Sequence, residues 1–254
     1  MLDYGLEIYD MSLPMSPIRL SQLPLLGPVT GIELVDKVAF VSVQNTGVVV
    51  IDISDKANPF ILNTLAVSDY HVSDIALSKA NNVLTIASYS DLAEGYIRFV
   101  DLTSPVYAAP LGFPVLRFDS GELLGKPLQV QWVNGNLHVL LQRQADIVLV
   151  QFTSLGAVPE YVLHGLAGLE YQQGPVSMLL AEQGGAITLG DQYIQLSRES
   201  NVFVVSYAEQ HSVESVLLES HGSQYLATEQ GLEQILPKGL ALSDFVPTVN
   251  ADIG

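Results

Sequence analysis

A strand-sized apolar run that ends in aspartate and restarts after proline recurs along this chain. That recurrence constrains the fold more than any other feature. The version at Gly47–Leu62 reads GVVVIDISDKANPFIL. At Gly5–Leu20 the chain reads GLEIYDMSLPMSPIRL, and Gly5, Asp10, Ser12 and Pro17 stand 42 residues before Gly47, Asp52, Ser54 and Pro59. Gly95–Leu111, GYIRFVDLTSPVYAAPL, follows more loosely: Asp101 lies 49 after Asp52, Thr103 replaces Ser54, and Gly95 is one residue out of register. Asp146–Val162 keeps the spacing, with Gln151 50 residues after Asp101, but has lost the aspartate. Asn201–Leu218 reads as a fainter fifth copy, with Ser206 55 residues after Gln151. Steps of roughly 40–50 residues are the period of propeller blades, each a four-stranded sheet.

The residue types fit that reading physically. Val48-Val49-Val50-Ile51 and Ile147-Val148-Leu149-Val150 are apolar without alternation, so both faces of each strand should be buried. A blade sandwiched between two others buries both faces of its inner strands. An aspartate at a strand end can accept main-chain N–H groups in an Asx-type turn and stop the ladder. Proline lacks the N–H, so it sits at an edge or at a strand start. Pro17 and Pro59 should therefore open the outermost strand of a blade.

The pattern G-h-x-h-h-D-h-S-D-x-x-x-P, with h apolar, resembles the LVIVD repeat family. The match is good at Gly5–Leu20 and Gly47–Leu62 and fair at Gly95–Leu111; the last two copies match by hydrophobic pattern and spacing. The resemblance implies a β-propeller from a bacterial or archaeal secreted or cell-surface protein. It carries no catalytic residues over to this chain.

The expected fold is all-β, a propeller of about five four-stranded blades filling residues 1–244. Gly5–Asp10 and Ile18–Leu25 read as the last two strands of a blade. Thr30–Val35 and Val38–Val43 lead into Gly47–Ile53 and Phe60–Val67. His71–Leu77, Val83–Tyr89, Tyr96–Leu102 and a strand near Val106–Leu111 form the next unit. Asp119–Lys126 is an insertion. Leu128–Val133 and Leu137–Gln142 flank Asn134-Gly135, the favoured dipeptide of a two-residue hairpin turn, and Ile147–Phe152 and Tyr161–Leu166 finish that unit. Between Tyr171 and Ser200 three candidate strands stand where two are expected: Val176–Ala181, Ala186–Leu189 and Tyr193–Ser197. Val202–Tyr207 and Val213–Glu219 should close that unit. Gln224–Ala227 and Leu232–Leu236 then read as a last hairpin. It is expected to complete one shared blade with the N-terminal pair, removing exposed edges. Phe245–Gly254 reads as a linker toward a following domain. The chain begins within a repeat unit and shows no signal peptide, so a domain cut from a longer protein is expected.

Charge narrows the partners. Ten Lys and Arg stand against 27 Asp and Glu, a formal net charge of −17. Such a field repels phosphate backbones and anionic lipid, so neither nucleic acid nor a membrane is an expected partner. Mean hydropathy is +0.33, enough apolar content for a large core. No apolar run reaches the ~20 residues that span a bilayer. The chain has no cysteine, which excludes disulfides, thiolate metal sites and cysteine nucleophiles.

Residues able to carry chemistry are few. The strand-end aspartates Asp10, Asp52 and Asp101 are expected to cap turns, with calcium ligation the alternative, suggested by Asp52-x-Ser54-Asp55. A calcium loop wants several carboxylates and a bidentate glutamate within a dozen residues. Asp69, Asp74, Asp91 and Glu94 are placed near blade edges as a weaker version of the same idea. His71, His138, His164, His211 and His221 form neither HExxH nor a close pair. His164-Gly165 and His221-Gly222 should be turn residues. Gly121–Lys126, GELLGK, is one residue short of a phosphate loop and has Pro127 where a hydroxyl is needed. Trp132 is expected in the core rather than as a sugar platform. The insertions Ser90–Glu94 and Asp119–Gly125 are where binding should be sought.

The expected function is therefore a non-catalytic scaffold or interaction module of a larger secreted or cell-surface bacterial protein, adhesin- or toxin-like. Its partners would be a protein or glycan ligand and other domains of the same polypeptide, with no cofactor. A propeller hydrolase or lyase acting on polysaccharide is the alternative, and would need carboxylates converging on the channel or one face. A calcium-stabilised structural domain is the third reading.

Overall fold

Blade and repeat coincide. The computed structural model of the chain describes residues 5–13, 16–67, 71–92, 94–102, 109–110, 116–118, 124–144, 146–154, 159–171, 174–182, 184–199, 202–210, 215–220, 223–228 and 231–235. A two-stranded sheet pairs β1 (Gly5–Asp10) with β2 (Ile18–Pro24). Blade one runs β3 (Val29–Val35), β4 (Val38–Val43), β5 (Gly47–Asp52), β6 (Phe60–Ala66). Blade two runs β7 (His71–Ser78), β8 (Val83–Tyr89), β9 (Gly95–Asp101), with β10 (Ala109–Pro110) and β11 (Leu116–Phe118) sharing the outer edge of β9. Blade three is β12 (Lys126–Val133), β13 (Asn136–Arg143), β14 (Asp146–Ser154), β15 (Glu160–Glu170). Blade four is β16 (Val176–Ala181), β17 (Gly184–Leu189), β18 (Gln192–Glu199), β19 (Val202–Gln210). A fifth, three-stranded sheet follows: β20 (Ser215–Ser220), β21 (Ser223–Thr228), β22 (Gly231–Ile235). All of the pairings are antiparallel.

The unalternating strands do bury both faces. In β4 and β5, Val38, Phe40, Val48 and Val50 pack toward blade two, while Ala39, Val41, Val43, Val49 and Ile51 pack toward β1 and β2. Each fully buried side chain of this size is worth about 1.5–3 kcal/mol. Further apolar slabs join blades two and three, three and four, and four and the fifth sheet. The first strands β3, β7, β12, β16 and β20 are neighbours in that order, on the inside of the fan.

The repeat residues perform the expected local tasks. Asp10 Oδ1 accepts the Ser12 N–H at 2.9 Å, and Asp52 Oδ1 accepts the Ser54 N–H at 2.7 Å. Pro17 and Pro59 stand immediately before β2 and β6. Gly5 and Gly47 open the third strand where a carbonyl of the fourth approaches: a Cβ on either would come within 3.0 Å of the Leu23 or the Leu65 oxygen. Asn134 and Gly135 both have positive φ, 49° and 79°, as the two-residue hairpin turn requires.

The structure corrects the sequence reading in four places. The three strands between Tyr171 and Ser200 all belong to blade four, and Val202–Gln210 is its outermost strand rather than its third. The repeat copy placed at Asn201–Leu218 is therefore displaced by one strand. The segment Val213–Glu219, expected to close that blade, contributes β20 and begins the next sheet. Among the described residues no pairing joins β22 to β1, so the expected shared blade is not formed there. Finally, the outer strand of blade two is split into β10 and β11. The proposed linker Phe245–Gly254 lies outside the described residues.

Candidate functional site

Antiparallel connectivity puts alternate loops at one end of every blade. The β4–β5 turn, the β8–β9 loop, the β13–β14 turn and the entries into β7 and β12 therefore share a face. Both insertions expected to bind a partner emerge on it. The described parts of the two meet over a groove of about 450 Å³ between blades two and three. Leu92 comes from the first insertion; Leu124 and Gly125 come from the second. Lys126, Gln142, Arg143, Gln144 and Asp146 complete the lining. Lys126 opens β12 directly opposite Gln142, and Arg143 faces Asp146 across the β13–β14 hairpin.

Hydrogen bonds order the loops around this groove. The Ser90 N–H donates to the Glu94 carbonyl at 2.9 Å, and the Gly125 N–H to the Phe118 carbonyl at 3.1 Å. Gly125 is required by space, because a Cβ there would meet the Gln142 oxygen. Gln142 Nε2 donates to the carbonyls of Tyr171, at 3.1 Å, and Gln144, at 3.3 Å. Gln144 has φ +54°, a left-handed conformation that Asn or Gly adopts more readily. The other described non-glycine residues with positive φ are all Asn or Asp. Strain of this kind concentrates at binding sites. Leu92 is 80% exposed and Leu124 45% exposed, so two leucines stand out at the rim.

Beside the groove, Lys126 Nζ lies 5.0 Å from the centre of the Tyr89 ring, and the His71 ring centre is 5.2 Å from it. His71 Nε2 meets Asp91 Oδ1 at 2.7 Å and its Nδ1 contacts Asn45 Oδ1. The imidazole thus ties the insertion of blade two to the β4–β5 turn of blade one. Glu94 accepts the Tyr96 hydroxyl at 2.9 Å.

A second constellation lies on the first strands. Glu33 Oε1 accepts the Leu77 N–H at 3.1 Å, Asp74 Oδ2 the Val130 N–H at 3.0 Å, Gln131 Oε1 the Leu180 N–H at 2.8 Å and Ser177 Oγ the Leu217 N–H at 2.7 Å. Each is a side chain of one blade bonded to the main chain of the next. Asp74 lies on β7, the inner edge strand of blade two, and is buried there. Burial pushes its carboxyl up to about 7, and the nearby charge of Glu33 adds to this against the main-chain N–H bonds. Burial also raises Glu33.

The third lies between blades three and four. His164 is not a turn residue: it sits within β15, fully buried. Its Nδ1 accepts the Phe203 N–H at 3.1 Å and its Nε2 meets Gln151 Oε1 at 3.2 Å, which together fix a neutral ring with the proton on Nε2. His138 stacks edge-on to Phe203 at 5.7 Å and its ring nitrogens lack a well-formed hydrogen bond. Burial pushes His138 down to about 4 and lowers His164 as well. Trp132 is half-buried and packs against the core between blades two and three, and its Nε1–H donates to Thr85 at 2.9 Å.

The strand-end aspartates are turned onto their own loops. Hydrogen bonds from Ser12 hold Asp10 below the usual carboxylate range, those from Ser54 do so for Asp52, and those from Asn58 and Ala57 for Asp55. Asp101 ends β9, half-buried. Among the described residues no three His, Asp or Glu side chains gather as a metal site would need. Asp69, His211 and His221 lie outside the described residues, as do residues 121–123 of Gly121–Lys126.

The geometry can now be set beside known proteins. The family model of the LVIVD repeat matches residues 27–66, which are the whole of blade one. Blade one is an LVIVD repeat. The repeat therefore begins at a first strand and ends at a fourth, so the Asp–Pro signature is its second half. No curated protein matches the sequence. Among solved structures, hydrazine synthase of Kuenenia stuttgartiensis is similar over 91% of this chain and 77% of its own, with TM-score 0.67 and 11% identity. The periplasmic gluconolactonase of Pseudomonas aeruginosa is similar over 86% and 69%, TM-score 0.63, at 13% identity. The Cps50 (Swd1) β-propeller domain of Myceliophteria thermophila is similar over 90% and 69%, TM-score 0.52, at 11% identity. At such identities the likeness is one of fold, and the fold is a β-propeller.

Proposed function

We propose that this LVIVD-repeat propeller is a non-catalytic interaction module of a secreted or cell-surface bacterial protein. Its partner sits in the groove between blades two and three. The observation that carries this reading is the convergence of both insertions on one groove, over a rigid fan of sheets. The carboxyls on the first strands favour it further. Glu33 and Asp74 accept main-chain N–H groups, whereas a polysaccharide hydrolase needs a carboxyl pair open to the sugar. Among the described residues no helix is long and apolar enough to cross a membrane; the secreted or surface location rests on the repeat.

The test pairs a turnover screen over lactones, esters and polysaccharides with a binding screen of arrayed peptides and glycans. We expect saturable binding that Leu92→Asp weakens at unchanged melting temperature, and no turnover. Turnover proportional to protein and lost on substitution of Glu33 or Asp74 would replace this reading with the hydrolase. Because Asp10, Asp52 and Asp55 point at their own loops, chelator should leave the melting temperature unchanged. A drop of several degrees on adding EDTA, reversed by calcium, would instead establish a structural calcium ion.

A further inference from the structure

We infer that the groove takes an acidic peptide segment, its carboxylate seated by Lys126 and Arg143 and its apolar neighbours on Leu92 and Leu124; this rests on the groove being the binding site. The chain has only ten Lys and Arg in 254 residues and a net charge of −17. Two of those ten line this one groove, and among its described lining residues the one carboxylate is Asp146, opposite Arg143. Asp91, in the same insertion as Leu92, is tied to His71 instead. The groove is thus locally cationic on an acidic molecule, and an anionic group gains there what the surrounding surface denies it.

The lips decide between a peptide and a sugar. A sugar ring is held by an open aromatic face, and the ring beside this groove, Tyr89, is already in contact with Lys126 and His71. The exposed lining includes two leucines, one from each insertion, which suit aliphatic side chains flanking an Asp or Glu. The glutamine amides of Gln142 and Gln144 add donors and acceptors for a main chain.

The experiment titrates the whole chain with capped pentapeptides of sequence Ala-Leu-X-Leu-Ala, X being Glu, Gln or Lys, and with trigalacturonate. The Glu peptide should bind about tenfold or more tightly than its Gln counterpart, the worth of a charge-assisted bond. Lys126→Glu should weaken the Glu peptide comparably and turn the preference toward the Lys peptide, at unchanged melting temperature. Lys126→Gln, which adds no charge, should lose the Glu preference without gaining the Lys one. Equal affinity for Glu and Gln peptides, or binding of trigalacturonate and of no peptide, overturns the inference. If Leu92→Asp still abolishes such binding, the groove stands as a site and only its acidic-peptide chemistry falls. If no probe binds and Leu92→Asp behaves as the parent, both fall.

Discussion

Gly47→Ala should cost on the order of 3–5 kcal/mol, enough to unfold a marginally stable chain. Two independent causes add at this residue. Its φ is +118°, a region that side-chain-bearing residues almost never enter, and a Cβ there would collide with the Leu65 carbonyl oxygen, which belongs to the neighbouring strand. The nearest atoms, from Leu65, Ala66 and Val67, are all main chain, so no flexible side chain can move aside. Gly135→Ala is the internal control. It also has positive φ, but a Cβ there meets nothing within 4 Å. Its cost should be limited to about 1–2 kcal/mol of backbone strain. Urea unfolding of both variants separates the two causes. Equal losses would mean that conformation alone sets the requirement and that the close approach of the fourth strand is irrelevant.

The pH dependence of stability should be nearly flat between about 4 and 6.5 for the parent and steep for two variants, in opposite directions. His138 protonates at 6.5 when unfolded and at about 4 when folded. The unfolded state therefore binds the proton first, and stability falls as pH drops from 6.5 to 4, by about 3 kcal/mol in all. Asp74 behaves in the reverse sense. Its carboxyl titrates at 3.8 unfolded and about 7 folded, so its contribution is fullest below 3.8 and is lost as pH rises through 7. The loss is about 4 kcal/mol. Over the shared window the two slopes oppose each other. Asp74→Asn removes one slope and should leave a protein that weakens on acidification and gains on the parent at pH 8. His138→Leu removes the other and should strengthen relative to the parent as pH falls. Variants that both track the parent at every pH would show that neither group is perturbed by its burial.

Legibility in the sequence followed the repeat. Where glycine, aspartate and proline all remain, at Gly5–Leu20 and Gly47–Leu62, strand ends and turns were placed within a residue. Each of those three types answers a backbone need that no packing can override. Where they have decayed, the strand order slipped. The third strand of blade four, Gln192–Glu199, has neither a leading glycine nor a closing aspartate, and the apolar run Val202–Val205 next to it imitates one. The overlooked cue was Gly190-Asp191, a two-residue hairpin turn between Leu189 and Gln192 with Gly190 at φ +61°. The groove was half legible. Both insertions were marked by length and composition, but their meeting with Gln142–Asp146 depends on how blade three stacks on blade two, which no local pattern encodes. The burial of Asp74 is not legible in the sequence, because its partner, the Val130 N–H, belongs to the next blade.

The hooks that Glu33, Asp74, Gln131 and Ser177 cast onto the following blade all run in the direction of synthesis, and all catch a main-chain N–H. Any residue but proline supplies that group. A newly translated module can accordingly be gripped by its predecessor whatever its own sequence, provided residues 77, 130, 180 and 217 are not proline. Duplication or divergence of modules would then demand no matching change in their neighbours, which is a physical reason why copies as unlike as the first and the fourth coexist in one molecule.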